Sequence, residues 1–437
     1  MNKRKTFFKF VVPSVLAFAL SGVYTIVDGF FISQSLGDIG LASIVLGYPI
    51  AAIIQALGTG LGMSGAIRFT IMKAQGSEEE QQSCFGGTTL LMFLFSGVIT
   101  ALLFLFLYPL LHLLGAEGEI LALTAEYIRV IALGTVLQLL ATGFVPFIRN
   151  MGGSTFAMAA MIAGFLTNIC LDYFFVWIFE LGMAGAALAT VAGQAVTMLA
   201  AVLFFVRKKS VFHLPPLSAI PIFFCSVCKV AVAPFGLTIS PTITIILMNR
   251  FLLMYGNEQA VAVYSCISYV VSIVYLLLQG VGDGSQPLIS KYYGKGNIQE
   301  MLQIRRFAYE MAFAITIVCM VGLFVVRGSV GMLFGASSDA CREVADYLPV
   351  FLAPLLFLSY VRVTTSYFYA TEKAILSYVL VFAEPLFEFV LLLFLPLMLH
   401  LSGVWLAVPV SQIIACLIAV CAKHAVEHKL ILRRGNE

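Results

Sequence analysis

In the apolar stretch FLTNICLDYFFVWIF (165–179), Asn168 and Asp172 stand four residues apart, which on a helix places both on one face, one turn apart. Two more oxygen-bearing residues sit in similarly apolar surroundings: Asp28 in VYTIVDGFFI (23–32) and Thr190 in GMAGAALATVAGQ (182–194). Carboxylate, amide and hydroxyl oxygens are hard ligands that suit a small hard cation, with backbone carbonyls or water completing the shell. A carboxyl held away from water also favours its neutral form, so the same residues can instead take up a proton. A second acidic pair, Glu384 and Glu388 in VFAEPLFEFV (381–390), repeats the four-residue spacing around Pro385, where a helix is expected to kink.

Other chemistries find little to work with. His112, His213, His400, His424 and His428 fall in loops or at the ends of apolar runs. No H-E-x-x-H metal motif and no phosphate-cradling G-x-x-x-x-G-K occurs, which argues against a metallohydrolase and against direct drive by ATP. The nine cysteines are scattered and odd in number, and Cys225 and Cys228 form a C-x-x-C with no second ligand pair. They are expected to be small packing residues rather than a disulfide framework or a zinc site. An enzyme is therefore disfavoured.

The chain that must position these groups has 437 residues, 61% hydrophobic and only 11% charged, with a mean hydropathy of +1.01. A soluble domain carries roughly 25% charged residues. Apolar runs long enough to cross a bilayer core of ~30 Å recur along nearly the whole length, and in lipid they must be helices so that the backbone pairs internally. Twelve spans are expected, at about 9–33, 41–70, 84–113, 122–147, 155–179, 184–206, 224–253, 259–290, 304–334, 343–368, 374–399 and 403–424. The fold class is thus an all-α polytopic membrane protein. The polar linker RKKSVFHLPPLSAIP (207–221) divides the spans into six helices in 1–206 and six in 222–437.

Lysine and arginine set the orientation. With the N-terminus inside, Lys3, Arg4, Lys5, Lys9, Lys73, Arg149, Arg207, Lys208, Lys209, Lys291, Lys295, Arg305, Arg306, Lys373, Lys423, Lys429, Arg433 and Arg434 share the cytoplasmic side. Only Arg129, Arg327 and Arg342 fall outside, so both termini are expected in the cytoplasm. Arg68, Lys229, Arg250 and Arg362 lie near predicted span ends, where their charges are expected to snorkel.

The two halves repeat with a shift near 220. Gly60, Gly62 and Gly76 match Gly280, Gly282 and Gly296, LLGAEGE (113–119) matches LFGASSD (333–339), and Ala125 and Tyr127 match Ala345 and Tyr347. GAALATVAGQ (185–194) pairs with GVWLAVPVSQ (403–412) at a shift of about 218. Six spans per copy is an even number, so the copies are parallel repeats, the arrangement of two pseudo-symmetric bundles around a central cavity found in transporters. The repeat also bears on the N-terminus, where Lys3, Arg4 and Lys5 before an apolar run imitate a signal peptide. Because the second copy contains the equivalent helix, the first is expected to belong to the fold.

At a rise of ~1.5 Å per residue, Asp28 lies about 28 Å up its span, Asn168 about 20 Å, Asp172 about 26 Å and Thr190 roughly 20 Å. All four thus share the outer half of the membrane within one bundle. A carboxylate there is costly, so intramembrane acids mark function. VPSVLAFALSGVYTIVDGFFI (12–32), the N-x-x-x-D of the fifth span and GMAGAALATVAGQ resemble the N-terminal half of multidrug and toxic compound extrusion (MATE) transporters, of a bacterial, MepA-like branch. The resemblance covers nearly the whole chain and implies a cation or proton coupling site at Asp28, Asn168, Asp172 and Thr190, with Asp28 and Asp172 as ligands if the ion is Na⁺. The second copy has Asn249, Glu388, Leu392 and Val408 at those places, so the set is not repeated.

Glu384 and Glu388 are expected to bind an organic cation near the midplane, and aromatics such as Tyr24, Tyr48, Tyr264 and Tyr367 to be available for stacking on it. Asp283, near the inner end of the eighth span, is expected at an interface or a moving joint. The expected function is antiport in a bacterial plasma membrane, exporting drug-like, often cationic solutes against Na⁺ or H⁺ by a monomer with no cofactor and no nucleic-acid partner. A flippase for lipid-linked or amphipathic cargo is the alternative, disfavoured because pyrophosphate calls for a basic cavity and the midplane charges are acidic. A channel is disfavoured by the lack of repeated carbonyl-filter sequences. The residues leave Na⁺ and H⁺ both open.

Overall fold

The computed structural model describes residues 3–210, 212–334 and 337–434, except for the side chains of 25, 26, 28–30, 32–34, 38, 41 and 428–434. Among the described residues the regular structure is all helical, without strands. The helices are α1 (Lys3–Gln75), α2 (Glu78–Leu113), α3 (Gly118–Leu133), α4 (Thr135–Asn150), α5 (Ser154–Asp172), α6 (Gly182–Arg207), α7 (Ile220–Tyr255), α8 (Glu258–Gly294), α9 (Ile298–Leu333), α10 (Ser338–Leu352), α11 (Leu355–Ala370), α12 (Ala374–Leu399) and α13 (Leu401–Arg434). Ten of the segments are long and apolar enough to cross a membrane, and twelve if each of two bent pairs counts as one span. The bent pairs are α3–α4, at 59°, and α10–α11, at 46°, which cover the fourth and tenth expected spans.

α1 carries the first two spans. Lys3 pairs with Glu300 while Ala74 packs against Gly294, so both ends of α1 lie at one end of the molecule and the chain reverses between them. Gly37 supplies the reversal, with φ 61°, a backbone state that costs little only for glycine. The end holding Lys3, Lys73, Lys295 and Arg305 is called the basic end below.

Exposed apolar side chains mark the perimeter. Leu105 on α2 and Val318 and Val325 on the equivalent α9 are each more than 70% exposed, an outward apolar surface suited to lipid. The interior is dominated by one cluster in the C-terminal half, which also takes in Phe7, Val11, Val15, Met63, Ile67 and Ile71 of α1.

The repeat is visible in how the halves cross. Gly60 on α1 lies so close to α7 that a Cβ there would meet Ala231 O at 2.7 Å. Gly280, its counterpart on α8, lies equally close to α1, where a Cβ would meet Val15 Cα at 2.7 Å. One crossing geometry is used twice, and glycine is what lets the backbones approach. Gly280→Val is expected to force these helices apart at a cost of about 1–3 kcal/mol. The check is a lowered thermal midpoint in detergent together with wider separation of the basic end; unchanged values for both would show that the contact gives way freely.

Candidate functional site

In the N-terminal half, α5 is followed directly by a π-helical turn, Tyr173–Ile178, so the backbone register shifts immediately after Asp172. Such turns gather at functional sites because they widen the helix and redirect its groups. Ser35 on α1 donates to the Val176 carbonyl within this turn, at 3.2 Å. Rings on either side of position 28 dock the two helices: Tyr24 stacks on Phe165 at 5.2 Å, and Phe31 meets Tyr173 and Trp177 edge-on.

Asn168 and Asp172 are buried, 2% and 0% exposed, on the side of α5 turned toward its neighbours. Asn168 Nδ2 donates to Thr190 Oγ1 of α6 across 3.5 Å, and Gly193 of α6 lets the two helices close on one another at that level. Asn168 Oδ1 has no donor among the described residues. A buried acceptor left bare costs roughly 1–3 kcal/mol, which a cation or a protonated partner would recover. The structure therefore brings Asn168 and Thr190 together and buries Asp172 one turn further along α5; the side chain of Asp28 lies outside the described residues.

At the basic end the halves are joined by a buried polar seam. Arg149 on α4 and Asp283 on α8, 3% and 4% exposed, form an ion pair at 3.3 Å. Tyr369 of α11 donates to the other oxygen of Asp283 at 3.1 Å, and the ring of Phe18 covers the guanidinium at 5.4 Å. Beside it, Asn150 Oδ1 accepts from Thr70 at 2.6 Å, and Asn150 Nδ2 donates to Gln286 at 2.9 Å. Ser64 donates to the Val227 carbonyl at 2.7 Å, and Arg68 pairs with both Glu372 and Ser226.

These hydrogen bonds and ion pairs join the halves toward the basic end, and further along α1 Gly22 approaches Ile273 and Leu276. Nearer the opposite end, Tyr48 and Tyr269 are each half exposed. Two expectations are corrected here. Arg149 is not a solvated loop charge but a buried partner of Asp283. Arg362 does not snorkel: it is 4% exposed, donates to the Leu237 carbonyl at 3.1 Å and lies over the Tyr275 ring at 4.8 Å. Lys229 and Arg250 are exposed.

Glu384 and Glu388 sit inside the C-terminal half, 5% and 0% exposed, among α7, α8, α12 and α13. Tyr264 and Tyr367 are likewise buried, so of the four aromatics weighed for stacking only Tyr24 and Tyr48 keep an exposed surface. No cluster of three or more His, Cys, Asp or Glu able to hold a metal occurs among the described residues.

Comparison with known proteins agrees with this architecture. The MatE family model matches twice, over residues 13–174 and 235–394, which is the repeat seen from outside. The chain is 28% identical to the multidrug export protein MepA of Staphylococcus saprophyticus over 363 residues, covering 79% of this chain and 77% of that protein. It is also 28% identical to MepA of Staphylococcus aureus strain MSSA476 over 364 residues, covering 80% and 78%. Among solved structures, a MATE in complex with MaL6 superposes with a TM-score of 0.89 at 21% identity, covering 98% of this chain and 97% of that one. A MOP-superfamily transporter from Pyrococcus furiosus gives 0.90 at 21% identity, covering 98% and 96%. With both halves matched by one family model and the whole chain superposed on its fold, the protein belongs to the MatE family.

Proposed function

We propose that the protein is a secondary antiporter that exports drug-like, often cationic organic solutes in exchange for Na⁺ or H⁺. The observation that carries this reading is the burial of Asp172 one turn from Asn168, which itself bonds Thr190 and keeps a bare amide oxygen, inside one half of a fold rich in membrane-length apolar helices. Asp28 joins the set on the strength of its place in the sequence. Residues 1–206 and 222–437 act as two lobes, and the buried seam is the inner gate, shut in this conformation. The excess of lysine and arginine at that end favours a cytoplasmic location for it and for both termini, in a bacterial plasma membrane. The closed state thus faces outward, and one chain holds both lobes, so a monomer suffices. MepA relatives are export proteins by name, which favours small organic cargo here too.

Reconstitution in liposomes with separately imposed Na⁺ and pH gradients tests the reading, with a fluorescent organic cation as reporter. Accumulation that follows one of the two gradients and collapses with an ionophore is expected. Movement of the dye under neither gradient would overturn antiport and favour the flippase.

A further inference from the structure

At the end opposite the basic end, the two copies of the repeat differ around one tyrosine. Tyr127 of the first copy is packed in the core, 5% exposed, and beside it Glu126 accepts from the Ala184 amide at the start of α6, at 3.2 Å. Their counterparts in the second copy are Tyr347 and Asp346 of α10, and Trp405 of α13 stands where α6 has Ala187. Trp405 is 2% exposed and stacks on Tyr347 with ring centroids 4.4 Å apart. Asp346 caps no helix: it is exposed and has no hydrogen-bond or ion-pair partner among the described residues.

Around these residues lies a pocket of about 310 Å³, open at the surface and lined by Asn257, Glu343, Asp346, Tyr347, Leu401 and Trp405. It sits between the starts of α8 and α13 and one side of α10, so every wall belongs to the C-terminal half. The volume reaches the range of small-molecule sites, which begins near ~300 Å³. Glu343 Oε1 accepts from Gln259 Nε2 at 2.7 Å, which leaves its second oxygen for another donor. The ion pairs among the described residues reach neither Glu343 nor Asp346. On the inner wall, the indole N–H of Trp405 has no acceptor among the described residues.

Two carboxylates without a basic partner call for positive charge, and an aromatic wall favours that charge on an organic ammonium. A divalent metal ion takes six to eight oxygens, and no metal-holding cluster occurs among the described residues. The bare indole N–H only donates, so the same ligand must also bring an acceptor. We propose that this pocket binds an alkylammonium group with a neighbouring oxygen acceptor, the chemistry of an ethanolamine phosphodiester. Such a group comes either from a lipid headgroup of the leaflet at this end or from a soluble compound. With all its walls in one half, the pocket holds an accessory ligand and not a solute in passage between the halves. The bound group ties α10, next to its 46° bend into α11, to α8 and α13. None of this rests on antiport.

The chain has two tryptophans, so Trp177→Phe leaves Trp405 as the sole emitter, and its fluorescence reads the pocket directly. In nanodiscs of phosphatidylglycerol alone, glycerophosphoethanolamine is expected to change that emission saturably, whereas glycerophosphoglycerol, which lacks the ammonium, leaves it unchanged. Adding Glu343→Gln/Asp346→Asn is expected to weaken binding at least 10-fold, the loss of charge-assisted hydrogen bonds. Adding Tyr347→Leu is expected to weaken it about 3-fold. Neither carboxyl is buried, and an unchanged thermal midpoint of the unliganded double variant shows that it folds. Nanodiscs containing phosphatidylethanolamine separate the two sources. With a lipid ligand, emission already stands at its bound value, the soluble compound adds nothing, and the double variant lacks the displacement. With a soluble ligand, the titration is the same in both lipids. No saturable change and no displacement in either lipid, or the same response with and without the two carboxylates, would overturn the proposal.

Discussion

Asp172→Asn is expected to abolish gradient-driven export while the protein remains folded and in the membrane. The change is isosteric, so packing of the buried side chain is preserved. What is lost is the negative charge that an ion or proton must neutralise to bias one conformation over the other. Coupling energies between linked sites are typically 1–3 kcal/mol, so a loss of roughly 100-fold in gradient-driven rate is expected. By reciprocity, organic-cation binding should also cease to respond to the coupling ion. The measurements are dye transport in liposomes under each gradient, and dye affinity with and without Na⁺ or at two pH values. Normal export by a well-folded Asp172→Asn protein would remove the coupling role from this residue. Asn168→Ala, which takes away the bare amide oxygen and its bond to Thr190, should give a milder loss in the same direction.

The second large effect is expected at the seam between the halves. Arg149→Met leaves the buried Asp283 with Tyr369 as its remaining donor. Breaking one partner of a buried pair costs about 3–5 kcal/mol, and each 1.4 kcal/mol is a tenfold shift in population. The closed basic end should therefore lose its dominance, by roughly 100- to 4000-fold if the open form pays no similar cost. Replacing both partners, as Arg149→Met/Asp283→Leu, removes the stranded charge and should recover much of the closed state, because apolar substitutes for a buried pair are often neutral. Spin labels at positions 73 and 295, both exposed at the basic end, would report the separation in a background lacking the native cysteines. Distance distributions that are the same for wild type and Arg149→Met would show that the pair does not hold the gate.

The twelve spans and the repeat were legible because hydropathy and glycine spacing are local signals. The bends were not, since apolar composition runs unbroken through Gly134 and through Ala353–Pro354, where α3 and α10 give way to α4 and α11. That bend also explains Arg362: counted along a straight span it falls near an end, yet on α11 it points at α7 and reaches Leu237. Arg149 shows a different limit. Counting charges groups it with Lys3 and Lys73, but its partner is 134 residues away in the chain and no spacing rule connects them. The pairing of Asn168 with Thr190 was readable from depth alone, because both helices start at known ends. For Glu384 and Glu388 the four-residue spacing was visible, whereas Thr244, Tyr275 and Gln412 come from three other helices, and only packing reveals that the pair is enclosed.

The linker between the halves has a length, and the length has a mechanical consequence. His213 is seated so tightly on α2 that any side chain at Gly86 would strike its carbonyl, and Phe212 rests against Phe85. Past His213 the chain has only Leu214, Pro215 and Pro216 before the short turn Leu217–Ala219 that leads into α7. Four steps of extended chain reach about 14 Å at most, and two consecutive prolines keep that stretch stiff. While His213 stays in its seat, the linker is a short strap tying α2 to the start of α7. It bounds how far the start of α7 can lie from α2 at the basic end.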